Sequence, residues 1–167
     1  MSIEVIVLDV DGTLTNGSVC YNTKGEEMKC FSVKDGLGLA SWIKMGKEAI
    51  VVTGRSSPIV EQRIKELGIK HIYQGIKDKK SLLEKILKEM GYDFSNCAVI
   101  GDDMNDYGML KASNISFAPC DANKRVLDIV TVKLSKRGGE GAVREMIDYL
   151  LVKEGLEEEF DRLWDAI

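Results

Sequence analysis

Residues 4–13 read Glu-Val-Ile-Val-Leu-Asp-Val-Asp-Gly-Thr. The apolar stretch at 4–8 is too short for a helix and rich in β-branched side chains, which marks a strand buried on both faces. It stops at Asp9, so this central strand delivers two carboxylates, Asp9 and Asp11, to its carboxyl end. Similar runs recur at 48–52, 70–73, 97–100 and 114–118, with a weaker one at 129–132.

Helical patterns fill the gaps. Residues 36–46 place Leu37, Ala40, Ile43 and Met45 near one face. Residues 57–67 open with Ser57-Pro58, a cap followed by proline at the first helical position, and stop at Gly68. Residues 78–90 carry Leu82, Leu83, Ile86, Leu87 and Met90 and stop at Gly91. Shorter helices are expected at 104–112 and 122–128, and a longer one at 140–153. Strands alternating with helices predict an α/β, doubly wound, mostly parallel Rossmann-like sheet. Residues 18–33 interrupt the alternation: two strand-like stretches flank Asn22-Thr23-Lys24-Gly25, which predicts an inserted β-hairpin. In the tail at 155–167, Leu156, Phe160, Leu163, Trp164 and Ile167 share a helical face, either docked on the domain or contacting another subunit.

At 167 residues, 44% hydrophobic and with only two prolines, the chain fits a single domain, 1–167, without a linker. The formal charge of −4, with lysines scattered among acids, disfavours nucleic acid as a partner. No apolar run approaches the roughly 20 residues that span a bilayer, so membrane insertion is not expected. The N-terminal stretch lacks the basic, then apolar, pattern of a secretory leader, and the expected compartment is the cytoplasm. Cys20, Cys30, Cys97 and Cys120 fit no zinc-ligand spacing and are expected to be free, mostly buried thiols.

In doubly wound sheets ligands sit beyond the carboxyl ends of the strands. There the sequence places Asp9-Val10-Asp11-Gly12-Thr13, Thr53-Gly54-Arg55, and Gly101-Asp102-Asp103 with Asp106 beyond; Lys79 opens the third main helix. Taken singly, each is a common turn, cap or solvated lysine. Together they bring several carboxylates to one edge, where two like charges about 4 Å apart cost about 4 kcal/mol at an effective dielectric near 20. A hard cation relieves that repulsion, and this oxygen donor set suits Mg²⁺, beside which a hydroxyl and an ammonium can hold phosphoryl oxygens.

In order and type these residues resemble the four motifs of the haloacid dehalogenase superfamily. The resemblance implies that Asp9 is the nucleophile, that Asp11 is the acid and then the base, and that Thr53 and Lys79 bind the phosphoryl group. Asp11 must then hold a proton in the substrate complex. The resemblance also implies Mg²⁺ on Asp9, the Asp11 carbonyl and Asp102, with Asp106 orienting Lys79 and Asp103 holding a metal-bound water. The gaps between motifs leave no room for a cap domain.

The hairpin, Phe31 through Gly36, Arg63 ahead of Leu67-Gly68-Ile69, Gln74-Gly75, and the run Gly138-Gly139-Glu140-Gly141-Ala142-Val143-Arg144-Glu145 are similar to the capless 3-deoxy-D-manno-octulosonate 8-phosphate phosphatase family. This likeness implies hydrolysis of a phosphorylated sugar acid in lipopolysaccharide precursor synthesis, by a homotetramer built through the hairpins. It implies sugar-acid contacts from Ser32, Val33, Lys34, Asp35, Gly36, Gly54, Arg55 and Arg63, with Arg144 reaching a neighbouring site. Some members carry Arg where this chain has Ala40. A related group with a similar glycine-rich tail acts on a nonulosonate 9-phosphate and is the alternative; Arg55 favours the octulosonate family. A phosphoacceptor signalling domain uses similar groups, but without a residue in Asp11's place to speed hydrolysis.

Overall fold

The computed structural model describes residues 2–165. Strand β1 (Val5–Leu8) leads into a two-stranded hairpin, β2 (Cys20–Tyr21) and β3 (Glu27–Met28), and then α1 (Val33–Lys44), β4 (Glu48–Val52), α2 (Pro58–Glu66), β5 (His71–Tyr73) and α3 (Lys79–Met90). After a 3₁₀ turn at Phe94–Asn96 come β6 (Cys97–Ile100), α4 (Tyr107–Ala112), β7 (Ile115–Ala118), α5 (Lys124–Leu127), β8 (Val132–Lys133), α6 (Ala142–Glu154) and α7 (Glu157–Asp165).

Six strands form one parallel sheet in the order β5-β4-β1-β6-β7-β8. Alternating side chains divide the core. Ile6, Leu8, Val51, Ala98 and Phe117 pack with Leu39 and Trp42 of α1, Ile64 of α2, and Met146, Ile147 and Leu150 of α6. Val5, Val7, Ile50, Val52 and Val99 pack on the other face with Leu83 and Leu87 of α3, Met109 of α4 and Val126 of α5. This is the expected doubly wound arrangement. Among the described residues only the hairpin stands between β1 and α1, and only α2 and β5 between β4 and α3, so no cap covers the strand ends.

The order reverses at β1: the chain steps outward through β4 and β5, then returns to place β6 on β1's other side. That is the topological switch point, where a crevice opens at the carboxyl ends of the two strands. Asp9 follows β1 and Asp102 follows β6, with Leu8 and Ile100 in register.

Several expectations are corrected. The first helix starts at Val33, with Ser32 as its cap: the hydroxyl accepts from Lys34 N at 3.2 Å and Asp35 N at 3.4 Å. Its buried face carries Leu39 and Trp42, while Leu37 is 44% exposed. Gly36 and Gly38 lie inside the helix, where close neighbours leave no room for a side chain. A Cβ on Gly36 would lie 2.3 Å from Arg63 Nη2, and one on Gly38 would lie 3.0 Å from Arg144 Cδ. The last strand is Val132–Lys133 rather than 129–132, because the amides of Ile129 and Val130 still bond to Val126 O and prolong the turn after α5. Helix α4 begins at Tyr107 rather than 104.

All four cysteines are free, but only Cys97 is buried. Burial pushes its thiol up to about 12. Cys20 and Cys30 lie on or beside the hairpin, outside the main sheet, which leaves them exposed. The terminal segment docks as α7, with Phe160 8% exposed and Leu156 packed on the core; Ile167 lies outside the described residues. Trp164 turns outward, where Lys44 Nζ lies 5.4 Å from its ring centroid.

The face assignment of α1 is testable. Leu39→Ala is expected to cost about 2–5 kcal/mol in urea unfolding, and Leu37→Ala no more than about 0.5 kcal/mol. Equal losses would contradict the helix orientation.

Candidate active site

Asp9 is 3% exposed, and its amide donates to Ile100 O at 3.2 Å, which ties the β1 exit to β6. Lys79, the first residue of α3, is 2% exposed. Its ammonium lies 2.5 Å from Asp9 Oδ1 and 2.6 Å from Asp106 Oδ1. The other oxygen of Asp106 accepts from the amides of Asp102 at 3.0 Å and Asp103 at 3.4 Å. Asp106 thus orients the lysine and pins the loop after β6. Gly101 makes this possible, because a Cβ there would lie 2.6 Å from the Asp106 carboxylate.

Asp9, Asp102 and Asp106 each offer a carboxylate oxygen, all within 4.8 Å of one another. Three carboxylates face one ammonium, so the cluster carries a surplus of negative charge when ionised. Burial first, then repulsion from Asp106, raises the Asp9 carboxyl to about 7, because the pull of Lys79 is shared with Asp106. Asp102 rises to about 8 through burial and the neighbouring Asp9, Asp106 and Asp103. Burial alone would lower the Lys79 ammonium, but Asp9 and Asp106 outweigh it and hold the pKa above its ordinary value.

These donors fit a small divalent cation. All are hard oxygens, and Asp106 is already committed to Lys79 and two amides, which leaves Asp9 and Asp102 as carboxylate ligands. Asp102 lies directly over the Asp-x-Asp-Gly turn: a Cβ on Gly12 would be 2.0 Å from Asp102 Oδ2. Gly12 has φ +94°, which also favours glycine. Asp103 is exposed and accepts from Met104 N and from Asn123 Nδ2.

Thr53, 2% exposed, follows β4 beside β1, its amide donating to Tyr73 O at 2.9 Å. Gly54 comes next and faces Asn105. Asp11 meets a residue that the sequence did not single out. Lys29, at the end of the hairpin, has a side chain only 1% exposed and is paired with Asp11 Oδ1, with Glu27 Oε1 at 3.3 Å. Arg55 joins the same group, 3.1 Å from Glu27, 3.9 Å from Asp11 and donating to Tyr21 Oη at 3.4 Å. A lysine that close to a turn reads as solvated until the hairpin's return path is known; its charge alternation with Glu27 was the available signal.

Of the expected sugar contacts, Ser32, Asp35, Gly36 and Arg63 line one small cavity with Phe31. Arg63 lies over the Phe31 ring at 6.0 Å and beside Glu66 at 3.5 Å. A neighbouring hollow is lined by Lys29, Phe31, Gln62 and Arg63, which connects this side to Asp11's partner. Val33 and Lys34 are exposed on the first turn of α1. Asp35 is 1% exposed, and Oδ1 accepts from Arg144 N at 2.8 Å, which anchors the start of α6. Arg144 itself pairs with Asp148 at 2.7 Å and stacks on Phe160, so it is not drawn to the acidic cluster of its own chain.

The haloacid dehalogenase-like hydrolase family profile matches residues 71–147. The chain is 39% identical over 160 residues to the 3-deoxy-D-manno-octulosonate 8-phosphate phosphatase of Haemophilus influenzae, covering 96% of this chain and 89% of that one. With its counterpart in Escherichia coli it shares 35% over 154 residues, 92% and 82% of the two chains. The crystal structure of the Moraxella catarrhalis phosphatase, in complex with magnesium, phosphate and KDO, superimposes with TM-score 0.92 at 36% identity, covering 98% of this chain and 92% of that one. The cobalt-bound Haemophilus influenzae phosphatase gives 0.88 at 39%, with 92% and 90% covered.

The raised carboxyls set a pH dependence. The folded, metal-free chain holds protons that the unfolded chain releases near pH 4, so this pair lowers stability as pH climbs from about 4 to about 8. A cation binding near pH 6 must displace those protons, whereas near pH 8 Asp9 has lost most of its proton and Asp102 about half. Mg²⁺ is therefore expected to raise Tm more near pH 8 than near pH 6, and Asp102→Asn to shrink both gains. Equal gains at the two pH values in scanning calorimetry would contradict the protonation pattern.

Proposed function

The chain belongs to the haloacid dehalogenase-like hydrolases, and within them we propose that it is an Mg²⁺-dependent phosphatase converting KDO 8-phosphate to KDO and inorganic phosphate. The convergence of Asp9, Lys79, Asp102 and Asp106 at the β1–β6 crevice carries this reading. Its substrate comes from relatives at 35–39% identity that match nearly the whole chain. The reaction belongs to the supply of a lipopolysaccharide sugar, in the cytoplasm. Among the described residues no helix is long and apolar enough to cross a membrane.

When bound by Asp9, Asp102 and the Asp11 carbonyl, Mg²⁺ supplies the positive charge that this cluster lacks and draws the phosphate dianion against it. The remaining roles belong to the chain. Lys79 fixes the Asp9 carboxylate, so one oxygen is presented to phosphorus in line with the ester bond. As the bond from Asp9 to phosphorus forms, the bond to the sugar oxygen breaks, and Asp11 gives that oxygen its proton. Asp11 then takes a proton from water, whose oxygen attacks the aspartyl phosphate and frees Asp9. Lys79 and Thr53 hold the equatorial oxygens through both displacements. For Asp11 to act, Lys29 must release it to the incoming substrate. The hollow bounded by Lys29, Phe31, Gln62 and Arg63 receives the sugar acid, with Arg63 and Arg55 suited to its carboxylate.

The decisive measurement is phosphate release from a panel of phosphorylated sugar acids with Mg²⁺ present. KDO 8-phosphate is expected to be turned over in preference to a nonulosonate 9-phosphate. Asp9→Asn is expected to lower turnover at least about 10⁴-fold with the circular dichroism spectrum unchanged. Substantial residual turnover would remove Asp9 as nucleophile.

Assembly is part of the proposal. The hairpin exposes Val19 (49%), Tyr21 (59%) and Met28 (55%), with Met28 beside Cys20 on one face of a two-residue ladder and Tyr21 beside Glu27 on the other. Two strands that short are marginal alone. A homotetramer joined through the hairpins supplies the missing cover. Val19→Asp with Met28→Asp is expected to convert the tetramer to smaller species in sedimentation velocity, and an intact tetramer would contradict the hairpin interface.

A further inference from the structure

The glycine run at 138–141 has no part in the roles assigned above, yet the fold lays it against the catalytic loop. A Cβ on Gly138 would stand 1.9 Å from the Gly12 carbonyl oxygen, 2.6 Å from its carbonyl carbon and 3.0 Å from Thr15 O. Gly139, with φ +73°, donates its amide to Thr13 O at 3.0 Å, and a Cβ there would be 2.6 Å from Asn16 N. Behind this segment, Asp121 Oδ1 accepts from Gly138 N at 3.0 Å, and Arg137 braces Asp121 at 3.5 Å.

Gly12 is therefore held from two sides. The Asp102 carboxylate packs against its Cα, and its carbonyl rests on Gly138. The peptide on its N-terminal side bears the Asp11 carbonyl. We propose that Gly138 is a positioning residue for the cation: by fixing how deeply Gly12 sits, it sets the spacing between the Asp11 carbonyl and the Asp102 carboxylate. The proposal rests on the assignment of Mg²⁺ to those groups. It gives the glycine run a function distinct from chain flexibility, since the contact needs the closeness of two backbones rather than freedom of either.

Gly138 does not have positive φ, so Gly138→Ala adds a methyl without forcing an unfavourable backbone angle. Gly46→Ala is the control: φ is +77° and nothing lies within 4 Å of its Cβ position, so that change costs stability without touching the site. Mg²⁺ affinity is measured by isothermal titration calorimetry without substrate, alongside Tm. Gly138→Ala is expected to bind Mg²⁺ about tenfold more weakly or worse, and to recover part of its kcat as Mg²⁺ is raised. Gly46→Ala is expected to lose Tm and keep wild-type affinity. Where Gly138→Ala fails to fold, Asp121→Ala at an exposed position loosens the same anchor, with about threefold weaker Mg²⁺ binding expected. Unchanged affinity in the folded variant would overturn the proposal. If the wild-type chain itself binds no Mg²⁺, the phosphatase reading fails instead.

Discussion

The constraint on which the site depends is a charge imbalance at the β1–β6 crevice. Asp9, Asp102 and Asp106 are drawn into a largely buried space with Lys79 as the neutralising group between Asp9 and Asp106. Each buried carboxylate gives up hydration that one shared ammonium cannot replace. The fold tolerates the arrangement because two amides and Lys79 satisfy Asp106, while the rise in the Asp9 and Asp102 carboxyls lets protons stand in for the missing positive charge. A cation serves the same electrostatic purpose, and then the carboxylates are free to act as anions. The strain that makes the metal-free site unfavourable is also what gives it affinity for a divalent ion and, behind it, a phosphate.

Backbone geometry converts that imbalance into a defined site. At the β1 exit, a turn is fixed by the Thr13 and Thr15 amides on Val10 O, and by the Thr15 hydroxyl accepting from the amides of Gly12 and Gly17. Gly12 and Gly101 leave room for Asp102 and Asp106 to fold over the peptide chain. Side chains at those positions would push the carboxylates apart by more than a metal–oxygen bond can absorb. The specificity of the cluster therefore lies as much in missing β-carbons as in the acids themselves.

Most of this was legible in the sequence because both signals are local. An apolar run followed by Asp-x-Asp or Gly-Asp-Asp gives the strand and its terminal carboxylates together, and the order of the sheet then fixes which meet. Lys79 was legible by its place at a helix start. What escaped depended on contacts distant in sequence. The face of α1 was read from Leu37, Ala40, Ile43 and Met45 because nothing local shows Arg63 and Arg144 packing on Gly36 and Gly38, and that misplaced both the start of the helix and its buried face. Cys20 and Cys30 were assigned to the interior by residue type, although the hairpin holding them stands outside the sheet. Lys29 and Gly138 are defined only when the hairpin and the chain before α6 fold back on the first loop. The backbone amide of Arg144 on Asp35 and its guanidinium beside Asp148 and over Phe160 are likewise contacts that only the folded chain shows.

The hairpin links the site to whatever lies outside it. In a capless fold the strand ends face open solvent, where a water-exposed Asp11 would be a poorly positioned acid. Glu27 and Lys29 from the second hairpin strand and its exit, with Arg55 from the loop after β4, build a charged fence around Asp11. A fence carried on two-residue strands cannot be stiffer than the strands themselves. Tyr21 and Glu27 share one face of the ladder and Cys20 and Met28 the other, so the charged fence and the exposed Met28 lie on opposite sides of the same short strands. One short insertion thereby sets the order of Lys29 over Asp11, while the cluster of Asp9, Lys79 and Asp106 is held separately by the main sheet and α3.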